Sequence, residues 1–192
     1  MALRAREFAA ILALASIAAL LALASRPGLP GAEASACGQL GGSNPGKLSA
    51  GEARDAVLCL INNERQDHGL TGLDRNRKLQ KAAQRHNDRM HGTGCFSHEC
   101  PGEPDLEARL DQVGYLGSGL RKWAYGENVA WGMEGHGSPK AIVSAWMESS
   151  GHRANILSPM FKEIGIGFAA GTPSSKRDPG GIYTTDFGLA VG

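Results

Sequence analysis

Residues Phe8 to Ala24 form an apolar run in which only Ser16 is polar, preceded by Arg4 and Arg6 and closed by Ala22-Leu23-Ala24 and Ser25-Arg26-Pro27. A basic end, an apolar stretch and a small-x-small exit make the pattern of a secretory signal peptide. This run constrains everything after it, because an exported chain folds where thiols oxidise. The competing reading is an uncleaved anchor, since the run approaches the ~20 apolar residues of a spanning helix. Ala34-Ser35-Ala36-Cys37 offers a second cleavage site or a lipoprotein-like signal, but it lies well beyond the apolar stretch. The expected organisation is a signal peptide over 1–24, a Gly/Pro/Ala-rich tether over 25–50 and one domain over 51–192.

Charge narrows the function classes. The 192 residues carry 20 Lys+Arg and 19 Asp+Glu, and without Arg4, Arg6 and Glu7 the totals become 18 and 18. A neutral exported domain lacks the basic excess that phosphate backbones require, so no nucleic-acid partner is expected. No membrane span is expected once the signal is removed, and the domain is expected as a monomer that is secreted, extracellular or periplasmic. Selectivity must then come from a local site.

Export makes the four cysteines candidates for disulfides. Cys95 and Cys100 bracket a short loop, Cys95-Phe96-Ser97-His98-Glu99-Cys100, so their pairing is expected, and Cys37 would then pair with Cys59. Four cysteines allow three connectivities, so this stays an expectation. A zinc cluster of His91, Cys95, His98 and Cys100 is the alternative, against which the spacing lacks a repeated Cys-x-x-Cys pattern.

Periodicity places the elements. Ser49-Ala50-Gly51-Glu52 reads as a capping box opening a helix along Ala53, Ala56, Val57, Leu60 and Ile61, stopped at His68-Gly69. A second helix from about Asn76 to Met90 has Leu79, Ala82, Ala83, His86 and Met90 on one stripe, where His86 reads as a hydrogen-bonded core residue. Leu106, Leu110 and Val113 suggest a short helix ended by Gly114. Ser138-Pro139 starts a fourth, finishing near Ser150-Gly151. Residues 123–131 read as a strand or strand-edge loop. Ile164-Ile166-Phe168 and Tyr183-Thr185-Phe187-Leu189 alternate as strands around an exposed 171–181 loop. Helices first and an antiparallel sheet completed late predict an α+β fold with helices packed on the sheet's faces.

The polar residues that stand out are His98, Glu127, Glu148, Ser149, His152 and Asn155. His152 and Asn155 are three apart and would share one side of a helical turn. Two imidazoles and a carboxylate could leave a zinc position open to water or substrate. Taken singly, each could be a structural hydrogen-bonding residue, the reading favoured for an isolated His. Ser97-His98-Glu99-Cys100 lacks the second His of the helical zinc-protease motif, and no Gly-x-Ser-x-Gly elbow, Walker loop or Gly-x-Gly-x-x-Gly fingerprint occurs. Ser149 lies three before His152, a spacing frequent by chance, so an acyl-transfer reading is weak.

Taken in order, Phe96-Ser97-His98, Tyr125-Gly126-Glu127-Asn128-Val129-Ala130, Trp146 to Leu157 with Gly151-His152-Arg153-Ala154-Asn155, and Glu163-Ile164-Gly165-Ile166-Gly167 resemble the CAP (SCP/TAPS) superfamily. That superfamily includes cysteine-rich secretory proteins, antigen 5 and pathogenesis-related 1 proteins. The resemblance is greatest to small exported bacterial members and spans about Arg54 to Gly188.

It implies an α-β-α sandwich with a three- or four-stranded antiparallel sheet between helical layers. It also implies a cleft of two His and two acidic residues, occupied in some members by zinc or another divalent cation. The first His corresponds to His98, the first acid to Glu127 and the second His to His152. The second acid does not carry over: its position is Ser149, and Glu148 beside it is turned by about 100° on a helix. The expected metal ligands are therefore His98 and His152, with Glu127, Ser149, Asn155 and Glu148 around them. No catalytic residue is assigned. The expected function is an exported binding module for a lipid, peptide or cell-envelope ligand. The alternatives are an extracellular metal-dependent hydrolase or peptidase and a structural or signalling protein whose His/Glu cleft only locks the fold.

Overall fold

A computed structural model describes residues 37–192; the expected signal peptide and residues 25–36 of the expected tether lie outside them. The described part of that tether carries structure. Residues 37–41 are helical, Pro45–Lys47 form a 3-10 turn capped by Asn44, and Cys37 is bonded to Cys59. Pro45 is buried beside Gly137 and Gly181, so a composition that lacks apolar period still packs through one proline and one bridge.

Ser49 opens α1 (Ala50–Asp67) with a reciprocal capping box: Glu52 N donates to Ser49 Oγ at 3.2 Å and Ser49 N to Glu52 Oε2 at 2.8 Å. Asn76 caps α2 (Arg77–Thr93), which buries Leu79, Ala82, Ala83, His86, Asn87 and Met90 and stops at Gly94 with φ +71. The remaining helices are α3 (Leu106–Gln112), α4 (Pro139–Glu148) and α5 (Ser150–Ile156). The fourth expected helix thus ends slightly early, because Ser149 adopts extended backbone and turns the chain into α5.

Four strands form one sheet in the order β1 (Asp74–Arg75), β3 (Glu163–Ala170), β4 (Gly180–Val191), β2 (Lys122–Met133). β2, β4 and β3 are antiparallel, whereas β1 adds a two-residue parallel pairing with β3. Periodicity did not show β1, since two residues carry no alternation.

α2 lies against one sheet face. It can come close because β3 presents Gly165 and Gly167 there: a Cβ on Gly165 would run into the Leu79–Gln80 backbone, and one on Gly167 would meet Ala83 O at 2.5 Å. The Ile-Gly-Ile-Gly pattern is therefore a packing pattern, with the isoleucines on the opposite face. There Ile164, Ile166, Phe168, Tyr183 and Phe187 meet Val57, Ile61, Ile142, Val143, Trp146 and Ile156 of α1, α4 and α5. The result is an α-β-α sandwich.

Both expected disulfides form, Cys37–Cys59 and Cys95–Cys100. With both loop sulfurs in a bridge, the alternative zinc cluster loses two of its four ligands. His86 is fully buried and Nδ1 lies 2.8 Å from Glu103 Oε2, as a core histidine requires.

Candidate functional site

β2 is an edge strand, and its alternation distributes the Gly-Glu-Asn motif over two faces. Glu127 shares the α2 side with Tyr125 and Val129. Gly126 and Asn128 face α5. A Cβ on Gly126 would meet Asn155 Oδ1 at 2.9 Å and Phe161 at 3.1 Å, so glycine makes room for the α5 side chain. Asn155 Nδ2 then donates to Asn128 Oδ1 at 2.9 Å and to Glu127 O at 3.2 Å, while Asn128 Nδ2 donates to His152 O at 3.1 Å. Trp146 Nε1 donates to Val129 O at 3.2 Å. These bonds satisfy edge-strand groups and fix α5, with His152 and Asn155 on it, against β2.

On the other face the Cys95–Cys100 loop brings His98 to Glu127. Nδ1 of His98 is 2.8 Å from Glu127 Oε1, and the second oxygen, Oε2, is 2.9 Å from Arg109 Nη2. Arg109 Nη2 also donates to His98 O at 3.1 Å, holding the loop itself. The carboxylate is buried, with 3% of its side chain exposed, whereas the imidazole is 57% exposed. The acid is thus spent on orienting a ring whose Nε2 side is left toward solvent.

The charges follow from this arrangement. Burial pushes the Glu127 carboxyl up, but the His98 hydrogen bond and the Arg109 guanidinium outweigh it and hold the group below the ordinary carboxylate range. The bond to Glu127 raises His98. Burial lowers His152, and the charge of His98 lowers it further, so the two rings are near enough to feel each other. Asp186 faces Glu127 across the ladder and is fully buried. Burial, then the Glu127 charge, raise it well above the ordinary carboxylate value.

Of the residues expected from sequence, the structure joins His98 directly to Glu127 and links His152 and Asn155 to the same motif through Asn128. Ser149 is the joint between α4 and α5, and its side chain makes no capping bond. Glu148 ends α4 with an exposed side chain. Neither bonds to His98, Glu127 or His152. Arg109 and Asp186 belong to the site and were not singled out from sequence. Arg109 lies on a short helix with no motif around it. Asp186 could have been noticed as a charge inside an alternating strand.

Among the described residues no group of three or more His, Cys, Asp and Glu side chains is disposed to hold a metal ion. The donors a divalent cation would draw on are the two imidazoles, His98 with its ring oriented by Glu127 and His152 lowered toward its neutral form. A closed four-ligand site does not fit, because Glu127 is committed to His98 and Arg109. The remaining positions would fall to water or to a bound molecule.

Comparison with known proteins agrees with the fold. The chain matches the cysteine-rich secretory protein family, CAP, over residues 58–187. It is 35% identical over 147 residues to the uncharacterized protein YkwD of Bacillus subtilis, covering 76% of this chain and 49% of that protein. An extracellular SCP-domain protein of Bacillus anthracis superposes with a TM-score of 0.58 at 26% identity, over 72% of this chain and 40% of that one. An outer surface protein of Borrelia burgdorferi shares the fold with a TM-score of 0.61 at 17% identity, over 74% of this chain and 96% of that one. The chain spans about half the length of the Bacillus subtilis relative.

Proposed function

The chain belongs to the cysteine-rich secretory protein (CAP) family, and on that premise we propose that it is an exported binding module. Its His98–His152 surface would take a lipid, peptide or cell-envelope ligand, with zinc or another divalent cation held by the two imidazoles. Two disulfides and the extracellular and outer-surface relatives support export. No helix among the described residues is long and apolar enough to cross a membrane.

The observation that carries the binding reading is the disposition of Glu127. An acid serving as general base needs a carboxylate oxygen free for water. Both Glu127 oxygens face protein groups instead, Oε1 the His98 ring and Oε2 the Arg109 guanidinium. The arrangement holds an exposed ring in a fixed orientation, which suits recognition. Metal binding would require neutral imidazoles and would weaken as pH falls, the raised His98 starting that loss above the ordinary imidazole value of ~6.5.

Zinc titration of the untagged full chain by calorimetry, beside a His98→Ala/His152→Ala variant of unchanged circular dichroism, tests the site. Heat lost in the variant supports it, and equal heats from both proteins overturn it.

A further inference from the structure

A cavity of about 250 Å³ lies between α3, the 116–120 segment and the start of β2, the strand that carries Glu127 further along. Leu116 and Leu120 give it an apolar lining, and Gly117 and Gly119 leave part of its rim without side chains. Trp123 walls it with half its surface exposed, and Glu107 and Asp111 line it from α3.

The two acids alone would mark nothing. Here they stand four apart on one helix, where like charges repel and cost stability. No Lys, Arg or His lines the cavity among the described residues. Tyr125 Oη donates to Glu107 Oε2 at 2.5 Å and so orients that carboxylate at the cavity's edge. An indole, two carboxylates and an aliphatic lining around one hollow are complementary to a cation on an alkyl stem. The indole face attracts the cation through its quadrupole, the carboxylates attract it by charge, and the leucines cover the methylenes. A neutral acyl chain would desolvate the carboxylates with nothing in return, and an anion would be repelled.

We propose that this cavity binds an alkylammonium group, as on a lysine side chain or a free amine, and forms a subsite of the surface centred on His98. Its place as a subsite rests on the binding-module reading; the cavity's own chemistry does not. Trp123, Tyr125 and Glu127 alternate onto one face of β2, so roughly 13 Å of strand separates Trp123 from Glu127. An extended peptide of a few residues spans that distance.

The test follows the Trp123 indole N–H by NMR in the isotope-labelled full chain during titration with n-pentylammonium, with end-blocked Ala-Lys-Ala, and with the same peptide acetylated on lysine. Shifts confined to Trp123 and residues 116–120 are expected with both cations and absent with the acetylated peptide. Affinity, read in the variants from the backbone amides of residues 116–120, should fall at least tenfold in Glu107→Gln/Asp111→Asn and in Trp123→Ala, all surface changes. A peptide that binds more tightly than the amine identifies a peptide source, and equal affinity a free amine; both support the cavity. Equal binding of the acetylated peptide, no shift at millimolar ligand, or undiminished affinity in the acid variant overturns it. Zinc heats of the acid variant should match those of the parent chain, so failure of this cavity and failure of the His98–His152 site are read separately.

Discussion

Asp186 stands directly across the β2–β4 ladder from Glu127, fully buried, and neither of its carboxyl oxygens has a hydrogen-bond partner among the described residues. Two carboxyl groups so placed cannot both be charged at low cost. His98 and Arg109 favour the charge on Glu127, and burial together with that charge raises Asp186.

That division has a sign. Asp186 is raised in the folded chain, so between the unfolded carboxylate value, ~3.9, and its own folded value the folded state binds more protons. Its contribution to stability therefore falls as pH rises above about 4. Asp186→Asn is uncharged at every pH and removes that loss. Thermal unfolding should show the variant more stable than the parent by a few degrees at pH 7, the gap closing toward pH 4. A variant equally destabilised at both pH values would refute the neutral-acid assignment.

Glu127→Gln probes the same pair from the other side. In the parent, the charged His98–Glu127 contact exists above the lowered Glu127 value and is lost as pH rises through the raised His98 value. With glutamine, His98 should titrate lower, at or beneath ~6.5, since burial alone lowers it. His152 should move up, because less His98 charge opposes it. Proton NMR of the two imidazole rings over pH 5–8 measures both shifts; unchanged His98 titration would show that Glu127 does not set it.

Much of the fold was legible because its signals are local. The Ser49–Glu52 box, the Leu79-to-Met90 stripe and the Pro139 start each lie within one element, and each helix forms where its caps allow. The site was legible only through ordered motifs. His98 and Glu127 are 29 residues apart in sequence, and nothing in either segment states that a loop closed by a disulfide will meet an edge strand. Arg109 and Asp186 were hidden for the same reason: their roles depend on contacts across elements, and an arginine on a short helix resembles any surface cation. Glu148 was visible as a charge beside Ser149, yet the turn between α4 and α5 leaves it facing solvent.

Arg65 is a second buried cation, and its partners are all carbonyls. Nη1 donates to Ile156 O at 2.6 Å and Ser158 O at 2.9 Å, and Nε to Thr71 O at 2.9 Å. Removing it orphans the carbonyls at the end of α5, the helix that carries His152 and Asn155. Arg65→Ala should cost about 2–4 kcal/mol in urea unfolding. Hydrogen exchange should quicken first in α5, whereas a cost below about 0.5 kcal/mol would show that water replaces the guanidinium freely.

Two glycine substitutions separate packing from backbone propensity. Gly165 has φ in the ordinary strand range, but an added methyl there would run into the α2 backbone at Leu79 and Gln80, which cannot move without shifting the helix. Gly151 lies in α5 with nothing within 4 Å of its Cβ position. Gly165→Ala should destabilise by about 1–3 kcal/mol, the usual cost of overpacking. Gly151→Ala should stabilise by up to about 1 kcal/mol, since alanine loses less backbone entropy in a helix. Both changes add one methyl, so chemical denaturation of the pair isolates the effect of the α2 contact. Equal effects would mean that α2 does not ride directly on β3.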